Sequence, residues 1–204
     1  MRVLCGMLSR GRWLIPSMLA VLVAAVAVAS AAAGSGPPRF AGPTIRNPAP
    51  APDFRLRDQH GRFVRLSGQR GKVVLVTFLY TNCPDLCPFT AVNLNRALGL
   101  LGPRRKDVTV LAVSVDPVGD TQGAIVKFVR SHRLRPQFHY LTGSRAALER
   151  VWRAYNVASV KVGGGDPDHT LYTLVLDRRG TTRVLFDALA KPAPIAHDVK
   201  LLLD

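Results

Sequence analysis

The segment that decides the fold lies at residues 73–88 and reads VVLVTFLYTNCPDLCP. Its first eight residues are apolar or β-branched on both faces, which is typical of a strand buried in the middle of a sheet. Cys83 and Cys87 follow this strand, and a proline after each of them stiffens the turn. Apolar residues then recur with helical spacing as far as Leu101, where a Gly-Pro pair predicts the end of a helix.

Strands and helices alternate on both sides of this segment. Before it we predict a β-hairpin over residues 54–66, with its turn at His60 and Gly61. After it we predict, in order, a buried strand at 108–115, a helix at 121–132, a strand at 138–141, a helix capped by Ser144, a hairpin of strands 169–176 and 182–186, and a helix at 197–203. A strand–helix–strand crossover is right-handed and joins parallel strands, so the fold class is α/β. The order matches a thioredoxin-like fold with an extra N-terminal β-hairpin.

The composition is that of a folded but basic protein. Of 204 residues, 48% are hydrophobic and 20% are charged, which argues against wholesale disorder. The formal net charge is +15, which favours anionic membranes or acidic partners. We find no recognition helix, zinc finger or RNA-binding motif beside this charge, and the basic residues are scattered. The sequence therefore predicts no nucleic-acid partner.

The N-terminal quarter of the chain is predicted to be a membrane or export segment and a linker. Residues 1–13 are basic, and residues 14–33 are uncharged over about the length that a helix needs to cross a bilayer. We interpret residues 14–33 as a retained single-pass anchor or a cleaved signal peptide. Both place the folded domain, residues 53–204, on the extracytoplasmic side. Residues 34–52 are rich in proline and are predicted to be an extended linker.

The two cysteines have the position of a reactive or metal-binding pair. They follow the carboxyl end of a central strand, where open α/β sheets bind ligands, and they start a helix, whose dipole stabilises thiolates. A disulfide across so short a loop would stabilise the fold little. A redox pair and a metal site both remain open on this reasoning.

His169 is the best third ligand among the five histidines, because it follows a polar, glycine-rich stretch and starts a strand. Two thiolates and an imidazole suit copper, as Cu(I) or Cu(II). Zinc usually takes four ligands, and Asp168 could supply the fourth. The other histidines are interpreted as structural residues in a turn, at a helix end, at a strand edge and at a helix start: His60, His132, His139 and His197.

Three motifs together resemble those of the Sco/SenC copper chaperones. They are TFLYTNCPDLCP at residues 77–88, SVDP at 114–117 with the following Asp120-Thr121, and Asp168-His169 ahead of a strand. The resemblance implies a thioredoxin-like, membrane-tethered domain that binds one copper ion through Cys83, Cys87 and His169. It also implies a role in assembling the dinuclear copper centre of cytochrome c oxidase, by copper delivery or by thiol–disulfide reduction of that centre's cysteines. Family members often carry Arg and Pro where this chain has Gly119 and Gln122.

Other functions fit the sequence less well. A disulfide reductase would use Cys83 and Cys87 as its redox pair, but the usual spacing has two intervening residues rather than three. A peroxidase of this fold would carry Thr at the position of Tyr80. A charge-recruited interaction module would not need the cysteines. We further expect Asp85 and Asp120 to cap helices.

Overall fold

The computed structural model describes residues 39–157 and 171–204. Within these two ranges, no helix combines the length and the apolar character needed to cross a bilayer. The predicted membrane segment at residues 14–33 and the first residues of the strand predicted at 169–176 lie outside them.

A five-stranded mixed sheet forms the centre of the domain, in the order β5-β4-β3-β6-β7. Its middle strand β3 is fully buried, as its apolar sequence predicts. Strands β3, β4 and β5 are parallel to one another, β6 runs antiparallel to β3, and β7 runs antiparallel to β6. The strands are β3 (Val73–Leu79), β4 (Val108–Ser114), β5 (Phe138–Leu141), β6 (Tyr172–Leu176) and β7 (Thr182–Asp187). The predicted parallel pairing of the two long apolar strands is confirmed.

In the described residues, four α-helices connect and cover these strands. They are α1 (Leu86–Leu100), α2 (Gln122–Ser131), α3 (Arg145–Ala154) and α4 (Pro192–Leu203), and a 3₁₀-helix at Gly102–Asp107 follows α1. The predicted start of the last helix at His197 is wrong, because α4 already begins at Pro192. Backbone N–H groups in the first turn of a helix have no hydrogen-bond partner within the helix, so proline, which lacks this group, loses nothing there. Pro192 is therefore compatible with the start of this helix.

The extra hairpin protects one edge of the sheet. Its strands β1 (Arg55–Arg57) and β2 (Phe63–Arg65) are antiparallel, as predicted. The backbone of Arg57 pairs with Thr142 just beyond β5. The buried Gln59 side chain then continues the pairing, donating to the Phe138 carbonyl at 3.1 Å and accepting from the Tyr140 N–H at 2.9 Å. Without the hairpin, the backbone N–H and C=O groups at the β5 edge of the sheet would be free to pair with another chain.

The opposite edge of the sheet is covered by residues that we predicted to be linker. Thr44 forms a bridge with Val184 of β7, and Pro50 forms one with Thr181 just before that strand. The N–H groups of Ala41 and Gly42 donate to the buried Asp198 carboxylate at 2.7 and 2.9 Å. Residues 39–52 therefore belong to the folded domain. Their prolines suit an edge segment, where one side of the backbone needs no ladder hydrogen bond.

His139 gives the domain a predicted pH dependence. Its Nδ1 lies 3.6 Å from the Asp58 carboxylate, beyond hydrogen-bond range, and has no hydrogen-bond partner among the described residues. Burial lowers the pKa of His139 and outweighs the attraction of Asp58, which acts to raise it. The unfolded chain therefore takes up a proton near pH 6.5 that the folded chain resists, so stability is lost as the pH falls through this range.

We expect the urea concentration at the midpoint of unfolding to decrease when the pH is lowered from 7.5 to 5.5. His139→Phe is expected to make that decrease smaller. The matched control is His60→Phe in the hairpin turn, which is expected to keep the wild-type dependence. An unchanged pH dependence in His139→Phe would contradict this account.

Candidate functional site

The cysteine pair lies at the connection between β3 and α1. After β3 ends at Leu79, the N–H of Cys83 donates to the Tyr80 carbonyl at 3.3 Å and closes a turn. Cys87 sits in the first turn of α1 and is fully buried, whereas Cys83 is partly exposed. The cysteines are unbridged, and the N–H of Cys87 donates to the Cys83 sulfur at 3.3 Å. The predicted strand–turn–helix setting of the pair is confirmed.

The two thiols are driven to opposite protonation states. A hydrogen bond from the Cys87 thiol lowers the pKa of Cys83 to about 5, against the effect of burial and with the help of backbone N–H groups at Asp85 and Cys87. The same hydrogen bond, together with burial, raises the pKa of Cys87. A pKa of about 5 favours the thiolate form of the partly exposed Cys83 at neutral pH, whereas the buried Cys87 stays a thiol and donates to it. Free N–H groups at a helix start stabilise a thiolate in this way.

Asp120 joins the second motif to the cysteine turn. Its buried carboxylate accepts from the Thr81 N–H at 2.7 Å, the Ser114 hydroxyl at 2.6 Å and the Tyr140 hydroxyl at 3.0 Å. Burial raises the pKa of Asp120 against these three hydrogen bonds. The prediction that Asp120 caps α2 is wrong, because the Thr121 side chain accepts the cap hydrogen bond from Ala124.

Sequence reasoning missed Tyr140 as part of the site, because nothing near it in the chain points to Asp120. Asp85 does occupy the position before α1, but its side chain makes no capping hydrogen bond. Asp85 is exposed.

Gly119 fits a close contact between the second motif and the cysteine turn. Asp116 accepts from the N–H groups of Val118 and Gly119, at 3.1 and 2.8 Å. A Cβ on Gly119 would lie 2.1 Å from the Asp116 carboxylate and 2.9 Å from the Asn82 side chain. Glycine at this position lets the loop lie against the residue before Cys83. Gln122 is the first residue of α2, so the helix that was predicted to follow Asp120 is present.

Comparison with known proteins agrees with this fold. A sequence model of the SCO1/SenC family matches residues 43–204. The chain belongs to the SCO1/SenC family. It is similar to a solved structure of Bradyrhizobium japonicum ScoI with copper bound, at 31% identity and a TM-score of 0.66, over 76% of this chain and 100% of that one. It is also similar to apo Sco1 of Thermus thermophilus, at 34% identity and a TM-score of 0.69, over 81% of this chain and 98% of that one.

The chain is also similar in sequence to curated proteins. An SCO2-like protein of Rickettsia conorii is 28% identical over 134 residues, which are 63% of this chain and 64% of that protein. The chain thus spans less than two thirds of that relative's length. The predicted family and its thioredoxin-like α/β fold are confirmed by these likenesses together.

The third predicted ligand of this SCO1/SenC protein, His169, lies outside the described residues, as does Asp168. Within residues 39–157 and 171–204, no three His, Cys, Asp or Glu side chains are grouped to hold a metal ion. Strand β6 runs antiparallel to β3, with Thr173 opposite Thr77. The described chain therefore resumes at Leu171 beside the end of β3 that leads to Cys83.

The unequal thiols predict selective alkylation. At pH 6.5, iodoacetamide is expected to modify Cys83 roughly ten times faster than a cysteine in an unstructured peptide, because more of it is thiolate. Cys87 is expected to stay unmodified while the fold is intact. Peptide mapping by mass spectrometry measures both rates, and Cys87→Ser tests how far the Cys87 thiol contributes. First modification at Cys87 would contradict the assignment.

Proposed function

We propose that this chain binds one copper ion through Cys83, Cys87 and His169 and delivers it to the dinuclear copper centre of cytochrome c oxidase. The observation that carries the proposal is the unbridged sulfur pair at the start of α1, in which Cys83 is partly exposed and its sulfur accepts a hydrogen bond from the Cys87 N–H at 3.3 Å. Soft sulfur ligands favour copper, and Cu(I) accepts few ligands. The similarity to ScoI with copper bound supports the same metal.

The partial exposure of Cys83 suits a cargo ion better than a permanent one. An acceptor's thiolates can approach the metal from the Cys83 side, while Cys87 stays fixed in α1. The register of β6 on β3 places Thr173, four residues after His169, opposite Thr77 near the end of β3 that leads to Cys83. We infer that the acceptor's thiolates replace His169 as a copper ligand first and the two cysteines afterwards.

We further propose that residues 14–33 keep the domain at the outer face of the membrane, where the copper centre of the oxidase is assembled. The uncharged run and the basic residues before it support this orientation.

Cells that lack this chain provide the test of delivery. Wild-type protein is expected to restore oxidase assembly at low copper, whereas Cys83→Ser and His169→Ala are not. Added copper is expected to restore part of the assembly without the protein, since delivery is then less limiting. Full activity of His169→Ala at low copper would contradict copper delivery through this site.

A disulfide reductase is the second candidate, and the unequal thiols favour it. A surface thiolate at Cys83 can attack a target disulfide, and the Cys87 thiol can then resolve the mixed disulfide. In that case Cys83→Ser is expected to fail at every copper concentration, and His169→Ala is expected to retain assembly. These two variants thus separate the two functions.

A further inference from the structure

Basic side chains that are far apart in the sequence meet at one end of the central sheet. Val73 and Val108, the first residues of β3 and β4, are partners in parallel register, and β5 begins beside β4. Leu176, the last residue of the antiparallel strand β6, pairs with Val74, so the turn from β6 to β7 lies at the same end. Cys83 follows the other end of β3. This end of the sheet is therefore opposite the cysteine pair.

Three strongly basic segments lie at this end. Residues 67–72 lead into β3, the 3₁₀-helix Gly102–Asp107 leads into β4, and residues 177–181 form the turn between β6 and β7. Adjacent strands are about 4.8 Å apart, which is less than the Debye length of about 8 Å at physiological salt, so charges on neighbouring segments add up. Each segment contributes two exposed basic side chains, and we call these six the strand-start surface: Arg70, Lys72, Arg105, Lys106, Arg178 and Arg179.

Two contacts hold the first and third of these segments together. The Gly71 N–H, between Arg70 and Lys72, donates to the Arg178 carbonyl at 2.9 Å. Gly180 has a φ of +75°, and a Cβ there would collide with the Arg70 guanidinium group. Glycine thus lets the Arg70 side chain lie against the turn that carries two more arginines. Like charges brought together in this way repel each other and favour a nearby anion.

The acids at this end leave the strand-start surface positively charged. Asp177 forms an ion pair with Arg183 at 3.3 Å, and Asp204 forms one with Arg104 at 2.8 Å. Asp107 is partly exposed and is the other acid of the three segments. Within residues 39–157 and 171–204, none of the six basic side chains has an ion-pair partner. Their charge is available to an anionic partner.

The composition of the three segments favours a lipid surface over a nucleic acid or a protein. They contain no aromatic residue, whereas proteins that bind single-stranded nucleic acid stack its bases on aromatic side chains. Protein interfaces have an apolar core, and Leu100 at the end of α1 is too small an apolar contribution beside the surface to form one. A layer of anionic headgroups attracts basic side chains through charge and needs neither feature.

We propose that the strand-start surface binds a layer of anionic phospholipid headgroups. The inference rests on the proposed function in one respect, because it requires the domain to be at the membrane, and it adds which surface faces the lipid. Strand β3 is seven residues long and therefore spans roughly 20 Å. Lipid bound at the start of β3 leaves Cys83, beyond its other end, open to a partner.

The test uses the full-length chain in lipid nanodiscs and measures lysine acetylation by peptide mapping. One set of nanodiscs contains phosphatidylcholine alone, and the other contains equal parts of phosphatidylcholine and phosphatidylglycerol. Lys72 and Lys106 report on the strand-start surface. Lys191, which is exposed and follows the far end of β7, is the internal reference. The measured quantity is the acetylation rate of each reporter lysine divided by that of Lys191.

We expect phosphatidylglycerol to lower both ratios at least about threefold and high salt to restore them, because salt screens the attraction. Arg178→Gln combined with Arg179→Gln removes two charges from the surface, keeps both reporter lysines and is expected to lose much of this protection. The matched control combines Arg57→Gln with Arg145→Gln, which removes two exposed charges beside the far end of β5. This control is expected to keep the protection.

Equal ratios in the two kinds of nanodisc would overturn the proposal in favour of an acidic protein partner. Equal loss of protection in the two double variants would overturn it as well, since lipid binding would then not depend on this surface. Retention of the chain by phosphatidylcholine nanodiscs measures membrane anchoring separately. If the chain is retained but not protected by phosphatidylglycerol, only the surface is wrong. If it is protected but not retained by phosphatidylcholine, the surface stands and anchoring by residues 14–33 is wrong.

Discussion

Replacing Cys83 or Cys87 by serine is expected to lower the affinity of this chain for Cu(I) at least about a hundredfold. Loss of residues that only orient a metal ligand typically costs 10–100-fold, so loss of a sulfur ligand is expected to cost no less. Serine keeps the size of the side chain but replaces a soft thiolate with a neutral hydroxyl, which is a poor ligand for Cu(I). Competition against a Cu(I)-specific chelator measures the change.

The chain offers a matched control for this substitution in its third cysteine, Cys5, which precedes the predicted membrane segment. Cys5→Ser is expected to keep the wild-type affinity and a stoichiometry of one copper per chain. Equal losses in all three variants would show that copper binds cysteines without regard to the site.

Replacing Asp120 by alanine is expected to destabilise the fold by about 3 kcal/mol. Three donors lose their acceptor at once, namely the Thr81 N–H and the hydroxyls of Ser114 and Tyr140. Each buried donor left without a partner costs about 1–3 kcal/mol, and relaxation of the hydroxyls recovers part of the sum. The Thr81 N–H belongs to the turn that precedes Cys83, so Cys83 alkylation is expected to change as well. Urea unfolding measures the first effect.

Asp116→Ala is the control for that experiment, because it removes a carboxylate from the same loop. Asp116 accepts two backbone N–H groups but is partly exposed, so water can replace it. We expect a loss of about 1 kcal/mol. Equal losses in the two variants would contradict the structural role assigned to Asp120.

The sequence predicted the parts of the fold that depend on local pattern. The apolar run of β3 specifies a central strand, and the cysteines that follow it had to lie at a helix start. Which sulfur is buried was not predictable, because it depends on how α1 packs on the sheet. That packing makes Cys87 the inner thiol and Cys83 the outer one.

The failures of prediction come from contacts between distant residues. Asp120 was expected to cap a helix because it stands just before one, but Tyr140 and Thr81, far from it in the chain, use its carboxylate instead. The prolines of residues 39–52 suggested a linker, whereas Asp198 near the C-terminus holds this segment on the domain. These contacts join residues that are distant in the chain, so no local pattern in the sequence indicates them.

In the proposed site, the sulfurs of Cys83 and Cys87 and the imidazole of His169 bind the same copper ion. The most direct test is the absorption spectrum of the full-length chain loaded with Cu(II), compared with Cys83→Ala, Cys87→Ala and His169→Ala. We predict a sulfur-to-copper charge-transfer band in the wild type that is lost in both cysteine variants and lost or strongly shifted in His169→Ala. A band of unchanged position and intensity in His169→Ala would contradict the claim.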